Sequence, residues 1–135
     1  MVGISRVACI TVAVHDQDEA LHWFTDKLGF RKHTDLPETD LNGRPVPGPG
    51  MRFLTISAPN QPDLQIILAS WFPDKVGKNA TVVLYTDDCR GTYELLKERG
   101  VHFSEPPQPR PFGLQAVFQD LYGNSYALVQ PGQTH

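Results

Sequence analysis

The same short order of sequence features occurs twice in this chain of 135 residues, and the repetition constrains the fold more than anything else. In each half, an apolar run rich in β-branched residues precedes an aspartate, a helical run and a glycine. Asp16 and Gly29 bound the first helical run and stand 13 positions apart. Asp87 and Asp88 open the second run, and Gly100 ends it, again 13 positions after Asp87. A repeat of this kind predicts a duplicated strand–helix unit.

The first predicted helix has a recognisable beginning, a buried stripe and an end. Asp16 stands three residues before Glu19, which suits the cap of a helix. Gly29 provides a left-handed stop at the other end. Apolar residues recur between these positions at helical spacing, and we expect them to be buried: Ala20, Leu21, Phe24 and Leu28.

The remaining apolar runs predict strands that complete each copy in the order βαβββ. Residues 1–70 are expected to form the first module, residues 71–79 a linker, and residues 80–135 the second module, within one compact domain. The predicted strands are residues 7–14, 30–36, 51–57, 64–69, 81–86, 101–104, 114–119 and 125–130, with a turn at 120–124 before the last.

Two segments rich in proline, residues 37–50 and 105–113, predict loops because their composition does not support a packed element. The first segment is longer than most connections in compact domains. It is therefore either a lid over a site or the exposed tip of a hairpin.

Composition limits the partners and the compartment. The net charge of −3 does not provide the basic surface of a nucleic-acid-binding protein, so we expect no nucleic-acid partner. No apolar run approaches the roughly 20 residues that cross a bilayer, and the first residues lack the core of a signal peptide. Cys9 and Cys89 have no C-x-x-C spacing. We therefore expect two reduced thiols in a cytoplasmic protein without a membrane partner.

Two stretches carry a resemblance to a known family: residues 12–30 (VAVHDQDEALHWFTDKLGF) and residues 118–124 (FQDLYGN). Together they make the chain resemble the vicinal oxygen chelate superfamily, which includes glyoxalase I, bleomycin-resistance, fosfomycin-resistance and extradiol dioxygenase proteins. The resemblance covers nearly the whole chain. It implies an α+β fold in which two tandem βαβββ modules form a half-open barrel around a cavity, often in a homodimer.

The resemblance also implies four metal-ligand positions, and these decide the expected chemistry. Metal-using members place imidazoles and carboxylates there, but this chain has Cys9, Ile67, Thr81 and Ala127. One thiol with these side chains does not complete the shell of a Mg, Mn or Fe ion. We therefore expect no metal and no other cofactor. The alternative is a divalent metal at a non-standard site, although no two histidines have the spacing of a metal-binding pair.

Strand alternation, combined with the resemblance, predicts a mostly apolar pocket for a small organic molecule. Arg52 and Arg110 are expected at its rim, either to clamp an anionic group or as ordinary surface arginines. Cys9 is a candidate nucleophile or a small buried side chain, and Tyr85 a candidate proton donor or a donor to a backbone carbonyl. The predicted pocket residues are Cys9, Thr11, Arg52, Gln65, Ile67, Thr81, Val83, Tyr85, Arg110, Phe112 and Ala127.

Three functions remain open at the level of sequence. The first is a metal-free module that binds a small organic ligand, like the drug-sequestering branch of the superfamily. The second is a lyase, isomerase or dioxygenase with an unusual metal site or metal-free acid–base chemistry. The third is a scaffold protein with a vestigial cavity. The residues at the four metal positions favour the first function.

Overall fold

A computed structural model of the chain describes residues 2–39 and 51–132. The order βαβββ occurs twice, as the sequence predicts. The elements are β1 (Cys9–Ala13), α1 (Gln17–Leu28), β2 (Arg31–Thr39), β3 (Met51–Ala58), β4 (Gln61–Ala69), a short 3-10 helix (Pro73–Lys75), β5 (Val82–Tyr85), α2 (Cys89–Glu98), β6 (His102–Arg110), β7 (Gly113–Gln119) and β8 (Ser125–Pro131).

The chain divides into two compact units, residues 1–74 and 75–135, and the division falls inside the segment predicted as a linker. We call them unit 1 and unit 2. Sheet 1 of unit 1 has the strand order β1-β4-β3-β2, and sheet 2 of unit 2 has the same order, β5-β8-β7-β6. In each sheet the first strand is parallel to the last, whereas the other neighbours are antiparallel. The duplicated α+β architecture is confirmed, and among the described strands each sheet stays open rather than closing into a barrel.

Both helices begin at an aspartate and are followed by a left-handed glycine, as predicted, although the cap of the second helix lies one residue later than Asp87. Asp16 caps α1, and Gly29 ends it in the left-handed conformation, with φ 76°. In unit 2 the cap is Asp88 rather than Asp87, and the left-handed glycine is Gly100, with φ 88°. The equal spacing that we predicted is therefore wrong by one residue. The helices accordingly have 12 and 10 residues.

The predicted loop at residues 105–113 is wrong over most of its length, because β6 continues to Arg110. Pro106, Pro107 and Pro109 lie within this strand. Among the described strands, β6 is the outermost of sheet 2 and pairs only with β7, so its other row of backbone groups takes no part in the ladder. The missing N–H of proline is therefore tolerated, and two register shifts in the β6–β7 ladder accommodate the segment.

The outer strand of sheet 1 also continues through a proline beyond its predicted end. β2 extends through Pro37 to Thr39, beyond the predicted strand end at residue 36. The predicted lid or hairpin tip, residues 37–50, therefore begins inside a strand. Its remaining part, residues 40–50, lies outside the described residues.

The core of unit 1 lies between α1 and one face of sheet 1. Phe24 of α1 is fully buried, as are Val12, Leu54 and Leu68 of the strands. Each such side chain contributes about 1.5–3 kcal/mol when it leaves water. Of the predicted helical stripe, Ala20 and Phe24 are buried, whereas Leu21 and Leu28 are only partly covered.

Unit 2 fills the corresponding layer with a row of aromatic rings. Tyr93 of α2 meets Phe103 edge-on, with 4.7 Å between ring centroids. Phe103 contacts Phe118 at 5.4 Å, and Phe118 stacks on Tyr126 at 5.2 Å. Such pairs contribute about 0.5–1.5 kcal/mol beyond the burial of their surface.

A buried carboxylate organises the turn before β8. Asp120 accepts hydrogen bonds at Oδ2 from the Tyr126 hydroxyl (2.7 Å) and from Asn124 Nδ2 (2.9 Å). Its Oδ1 accepts from the backbone N–H groups of Tyr122 and Asn124 at 2.8 and 3.1 Å. Burial, followed by the neighbouring Asp120, raises the pKa of Tyr126 above its ordinary value. The predicted turn at residues 120–124 is confirmed, and Asp120 ties it to β8.

Candidate functional site

One face of sheet 1 is covered by α1, and the candidate residues of unit 1 lie on the other face. Arg52 Nη1 bonds Asp18 Oδ1 of α1 at 2.8 Å, which marks the covered side of β3. Thr55, three positions later, therefore lies on the opposite side with its ladder partner Ile67. Thr11 is paired with Ile67 and belongs to the same side. We call this the helix-free face of sheet 1; its central members are Cys9, Thr11, Thr55, Gln65 and Ile67.

Sheet 2 is arranged in the same way. Phe103, which contacts Tyr93 of α2, marks the helix-covered side together with its ladder partner Phe118. Val117 is next to Phe118 along β7 and therefore lies on the opposite side, as does Ala127, with which it pairs. We call this the helix-free face of sheet 2; its central members are Val83, Tyr85, Glu105, Gln115, Val117, Ala127 and Val129.

In unit 1 the structure brings four predicted pocket residues together. The parallel ladder between β1 and β4 places Cys9 opposite Gln65 and Thr11 opposite Ile67. Thr11 is exposed, and the other three are partly exposed. These four side chains form a continuous surface that combines a thiol, a hydroxyl, an amide and an aliphatic group.

In unit 2 the same face presents large apolar side chains. Val83 and Tyr85 of β5 are 59% and 75% exposed. Ala127 is the ladder partner of Val83 and is buried. Thr81 is exposed and directly precedes β5, and Phe112, which is 54% exposed, lies between β6 and β7. The structure therefore groups Val83, Tyr85 and Ala127, while Thr81 and Phe112 lie beyond the strands.

Arg52 does not join the other predicted pocket residues. Its guanidinium group lies on the helix-covered side of sheet 1 and forms a bidentate pair with Asp35, with both N–O distances 2.9 Å. The hydrogen bonds to Asp35 and Asp18 raise the pKa of Arg52, and the guanidinium group lowers the pKa of Asp35. This arginine connects α1, β2 and β3.

Arg110 is also paired, in this case with the Glu105 carboxylate. Glu105 lies on the helix-free face of sheet 2 through its pairing with Val117. Sequence reasoning missed Glu105, because its segment was predicted to be a loop. Strict alternation from Phe103 would have placed this carboxylate on the helix-covered side, and only the register shift between the two residues turns it to the helix-free face.

Sequence reasoning also missed Gln115 and Val117 on the helix-free face of sheet 2 and Thr55 on that of sheet 1. Thr55 is the most constrained of the three. It is fully buried although its side chain is polar. Its hydroxyl accepts a hydrogen bond from the backbone N–H of Thr34 (3.1 Å) and donates one to Gln65 Oε1 (2.6 Å). The signal in the sequence is a threonine between two apolar residues of β3, Leu54 and Ile56.

The metal positions implied by the family resemblance do not fit a divalent ion. Cys9 and Ile67 share the helix-free face of sheet 1, and Ala127 lies on that of sheet 2, as the ladder partner of Val83. Thr81 directly precedes β5. The four residues provide one thiol and one hydroxyl, which is not the donor set of a hard cation. Across residues 2–39 and 51–132, no group of three or more His, Cys, Asp or Glu side chains is placed to hold a metal. That the protein works without a metal remains a prediction.

Neither cysteine forms a disulfide. Cys89 is buried at the start of α2, where its Sγ lies 3.7 Å from the Leu128 carbonyl oxygen, and burial raises the pKa of its thiol. Cys9 is partly exposed and makes no side-chain hydrogen bond to any residue that the structure describes. Within the two described ranges, no helix is both long and apolar enough to cross a membrane.

Comparison with known proteins places the chain in a family. The family model described as Glyoxalase/Bleomycin resistance protein/Dioxygenase superfamily matches residues 4–128. An uncharacterised protein of Shewanella frigidimarina (strain NCIMB 400) is 29% identical over 129 residues, which is 90% of each chain.

Two solved structures are similar in both sequence and fold. TnmS3, described as an antibiotic binding protein from Streptomyces sp. CB03234, is 31% identical with a TM-score of 0.78, covering 98% of this chain and 100% of TnmS3. A superfamily member from Sphaerobacter thermophilus DSM 20745 is 33% identical with a TM-score of 0.75, covering 94% of this chain and 98% of that one. This protein therefore belongs to the Glyoxalase/Bleomycin resistance protein/Dioxygenase superfamily.

Proposed function

We propose that the protein binds a small organic molecule on a helix-free sheet face, without a metal and without chemical turnover. The observation that carries the proposal is the exposure of Val83 and Tyr85 on the helix-free face of sheet 2. Exposed apolar groups clustered on one surface are typical of a ligand-binding site. The similarity to an antibiotic binding protein over nearly the whole of both chains supports the same interpretation.

The charges favour a ligand that is largely uncharged. Arg52 and Arg110 are the arginines predicted at the rim, and each is paired with a carboxylate of its own unit. Recruiting either arginine for an anionic ligand would break an existing ion pair. Apart from Glu105, the central members of each face are aliphatic, aromatic, hydroxyl, thiol and amide groups, which suit an organic molecule with a few polar atoms.

Binding without turnover is favoured over lyase, isomerase or dioxygenase chemistry by the candidate catalytic residues. A nucleophilic thiol needs a base or a positive neighbour. Cys9 instead lies between Thr11 and the ladder partner Gln65, and no described side chain bonds its sulfur. Tyr85 is mostly exposed, where a ring serves better as a contact surface than as an activated acid.

Ligand-induced stabilisation tests the proposal. The protein would be treated with a chelator and heated with a panel of aromatic and glycopeptide antibiotics that includes metal-free bleomycin. A ligand that binds only the folded state must raise the melting temperature. We expect at least one compound to do so with a dissociation constant in the micromolar range. We expect Tyr85→Ala to weaken that compound about tenfold.

Leu95→Ala is the matched control, since Leu95 is 44% exposed on α2 of the same unit, away from the helix-free face. It should leave the affinity unchanged. A panel in which no compound raises the melting temperature would contradict the proposal. So would a stoichiometric metal, found by elemental analysis, that is required for binding.

A further inference from the structure

We infer that Gln65 is the hydrogen-bond donor that recognises an acceptor oxygen of the ligand, and that Thr55 holds its amide group in the required orientation. The inference rests on the proposed function and narrows the ligand to a class. A ligand that fits would carry a ketone, amide or similar neutral carbonyl within a mostly apolar skeleton. Three features of sheet 1 lead to this assignment.

The first feature is an irregularity in the ladder between β2 and β3. The pairing shifts between Lys32 and Thr34, so the regular alternation of backbone hydrogen bonds is interrupted there. The backbone N–H of Thr34 donates to the side chain of Thr55 instead, at 3.1 Å. Because of the shift, the lone pairs of the Thr55 hydroxyl face a fixed backbone donor.

The second feature is the direction of the next hydrogen bond. A hydroxyl has one hydrogen, and Thr55 is fully buried, so this hydrogen needs an acceptor. The acceptor is Gln65 Oε1 at 2.6 Å. If the amide were turned over, the Thr55 oxygen would face two donors and its own hydrogen would lose this acceptor. The network therefore sets the orientation of the Gln65 amide.

The third feature is the position of the amide nitrogen. With Oε1 bound to Thr55, both hydrogens of Gln65 Nε2 are available, and no described residue accepts from them. The side chain is partly exposed on the helix-free face, with Cys9 as its ladder partner and Ile67 two positions along β4. A pair of oriented N–H groups among a thiol and an aliphatic side chain suits one carbonyl oxygen.

A carboxylate would fit less well than a neutral carbonyl. Arg52, the arginine predicted at the rim, lies on the opposite face of the sheet and is paired with Asp18 and Asp35. The Gln65 amide provides two neutral N–H donors, whereas a carboxylate that leaves water needs a positive charge beside it. The Gln65 amide can therefore bind an acceptor oxygen on a ligand group that carries no charge.

The first experiment examines the orientation in the absence of ligand. In proton–nitrogen correlation spectra, the Gln65 side-chain amide should show the nitrogen relaxation of an ordered group and signals displaced from those of a free glutamine. Thr55→Val, which removes the hydroxyl at nearly constant volume, should give it the relaxation of a mobile side chain and move its signals towards the free positions, whereas Thr55→Ser should restore them. Signals that are the same in all three proteins would overturn the positioning role of Thr55.

The second experiment uses 1-indanone and indane, which share a carbon skeleton and differ in one carbonyl oxygen, at millimolar concentration. 1-Indanone should shift the Gln65 amide signals, and Gln65→Met should weaken its binding about fivefold. Indane should bind with the same affinity to both proteins. Gln61→Met is the matched control, because Gln61 is exposed at the start of the same strand.

The outcomes separate this inference from the proposed function. If both compounds shift residues of the helix-free faces but Gln65→Met weakens neither selectively, the donor role is wrong while small-molecule binding stands. If neither compound shifts any residue of those faces, the donor role is overturned, and the antibiotic panel decides the proposed function by itself. A larger loss with Gln61→Met than with Gln65→Met would also overturn the assignment.

Discussion

Units 1 and 2 share one topology but use different side chains for the same task. The first residue of α1 is Gln17, and its Nε2 donates to the Leu68 carbonyl oxygen of β4 at 2.7 Å. The first residue of α2 is Cys89, whose Sγ lies 3.7 Å from the carbonyl oxygen of Leu128 in β8. In both units the helix start is thus tied to the last strand at the same place. The fold requires a donor that reaches this carbonyl, and it accepts different residue types.

A second hydrogen bond at each helix start also uses different side chains in the two units. In unit 1 the long side chain belongs to the helix, and Ser70 after β4 donates to Gln17 Oε1 at 3.3 Å. In unit 2 the long side chain belongs to the strand, and Gln130 Oε1 accepts from the backbone N–H of Cys89 at 2.9 Å. A glutamine therefore bridges helix and strand in both units, from opposite sides.

The two units also differ in how they hold their polar groups. Unit 2 buries the carboxylate of Asp120, with 6% of the residue exposed, inside a set of hydrogen bonds. Unit 1 keeps its main charge cluster near the surface, where the side chains of Arg52 and Asp35 are 22% and 26% exposed. Buried networks are costly to break, whereas exposed ion pairs contribute little. We therefore expect substitutions in the buried network of unit 2 to lower the free energy of unfolding more than substitutions in the ion pairs of unit 1.

The largest loss of stability should follow Asp120→Ala. The substitution removes the acceptor of the Tyr126 hydroxyl and of Asn124 Nδ2, both in residues that are 1% exposed. We expect the free energy of unfolding to fall by about 4 kcal/mol, or the chain not to fold. Urea unfolding measures the loss. Hydrogen exchange should show it first among the amides of residues 75–135.

Asp87→Ala is the control for this substitution, because Asp87 is exposed and does not cap α2. It should change the free energy of unfolding by no more than about 0.5 kcal/mol. If Asp120→Ala cost as little as Asp87→Ala, the buried carboxylate would not be the polar centre of unit 2.

The next loss should come from the helix starts, and it should be unequal. Gln17→Ala removes a side chain that donates to two carbonyl oxygens, those of Leu68 and Arg52, at 2.7 and 2.8 Å. We expect a cost of about 2–3 kcal/mol. Cys89→Ala removes a weak donor and a small volume, so its cost should be about 1 kcal/mol. Equal losses in urea unfolding would show that the two helix starts are not held by these bonds.

The features of the two units that depend on residues close in the chain could be predicted from the sequence. Helix caps, the left-handed glycines and the apolar periodicity are all set by residues close in the chain, as Asp16 and Gly29 illustrate. The exception, Asp88 in place of Asp87, arose because two adjacent aspartates suit a cap equally well on sequence alone. Element order followed from the repetition of these local signals.

What the sequence could not provide depends on neighbours that are distant in the chain. Pro106 and Pro107 indicated a loop, and only the outer position of β6 in sheet 2 explains how they lie in a strand. The bonds of Thr55 to Thr34 and Gln65 depend on the strands on either side of β3, which no local pattern reveals. Likewise, the separation of Arg52 from the other predicted pocket residues follows from a contact with Asp18 of α1.

The ion pairs of unit 1 should give a small, pH-dependent effect on the free energy of unfolding. Arg52 lowers the pKa of Asp35 from its ordinary value of 3.8. Asp35 therefore contributes stability above about pH 4, and this contribution is lost as the pH falls through the lowered pKa. After allowance for solvent screening, we expect about 0.5–1 kcal/mol.

Arg52→Met should remove this part of the pH dependence. Unfolding measured between about pH 2.5 and pH 7 would show the two proteins converging in stability at the acidic end. Lys32→Met is the control, since Lys32 contacts the same carboxylate at 3.7 Å and is more exposed. A difference between the wild type and Arg52→Met that stays constant over this range would assign the effect to packing rather than to charge.

The smallest effect on stability should come from Tyr85, and the contrast with Tyr126 makes it informative. Tyr126 is 1% exposed and bonds Asp120, whereas Tyr85 is 75% exposed on β5. Tyr126→Phe should cost about 1–2 kcal/mol, because the Asp120 oxygen loses a buried donor. Tyr85→Phe should change the free energy of unfolding by less than about 0.5 kcal/mol. An exposed ring that contributes nothing to folding is free to serve a ligand, and an unexpected stability loss at Tyr85 would mean that its ring is needed by the fold itself.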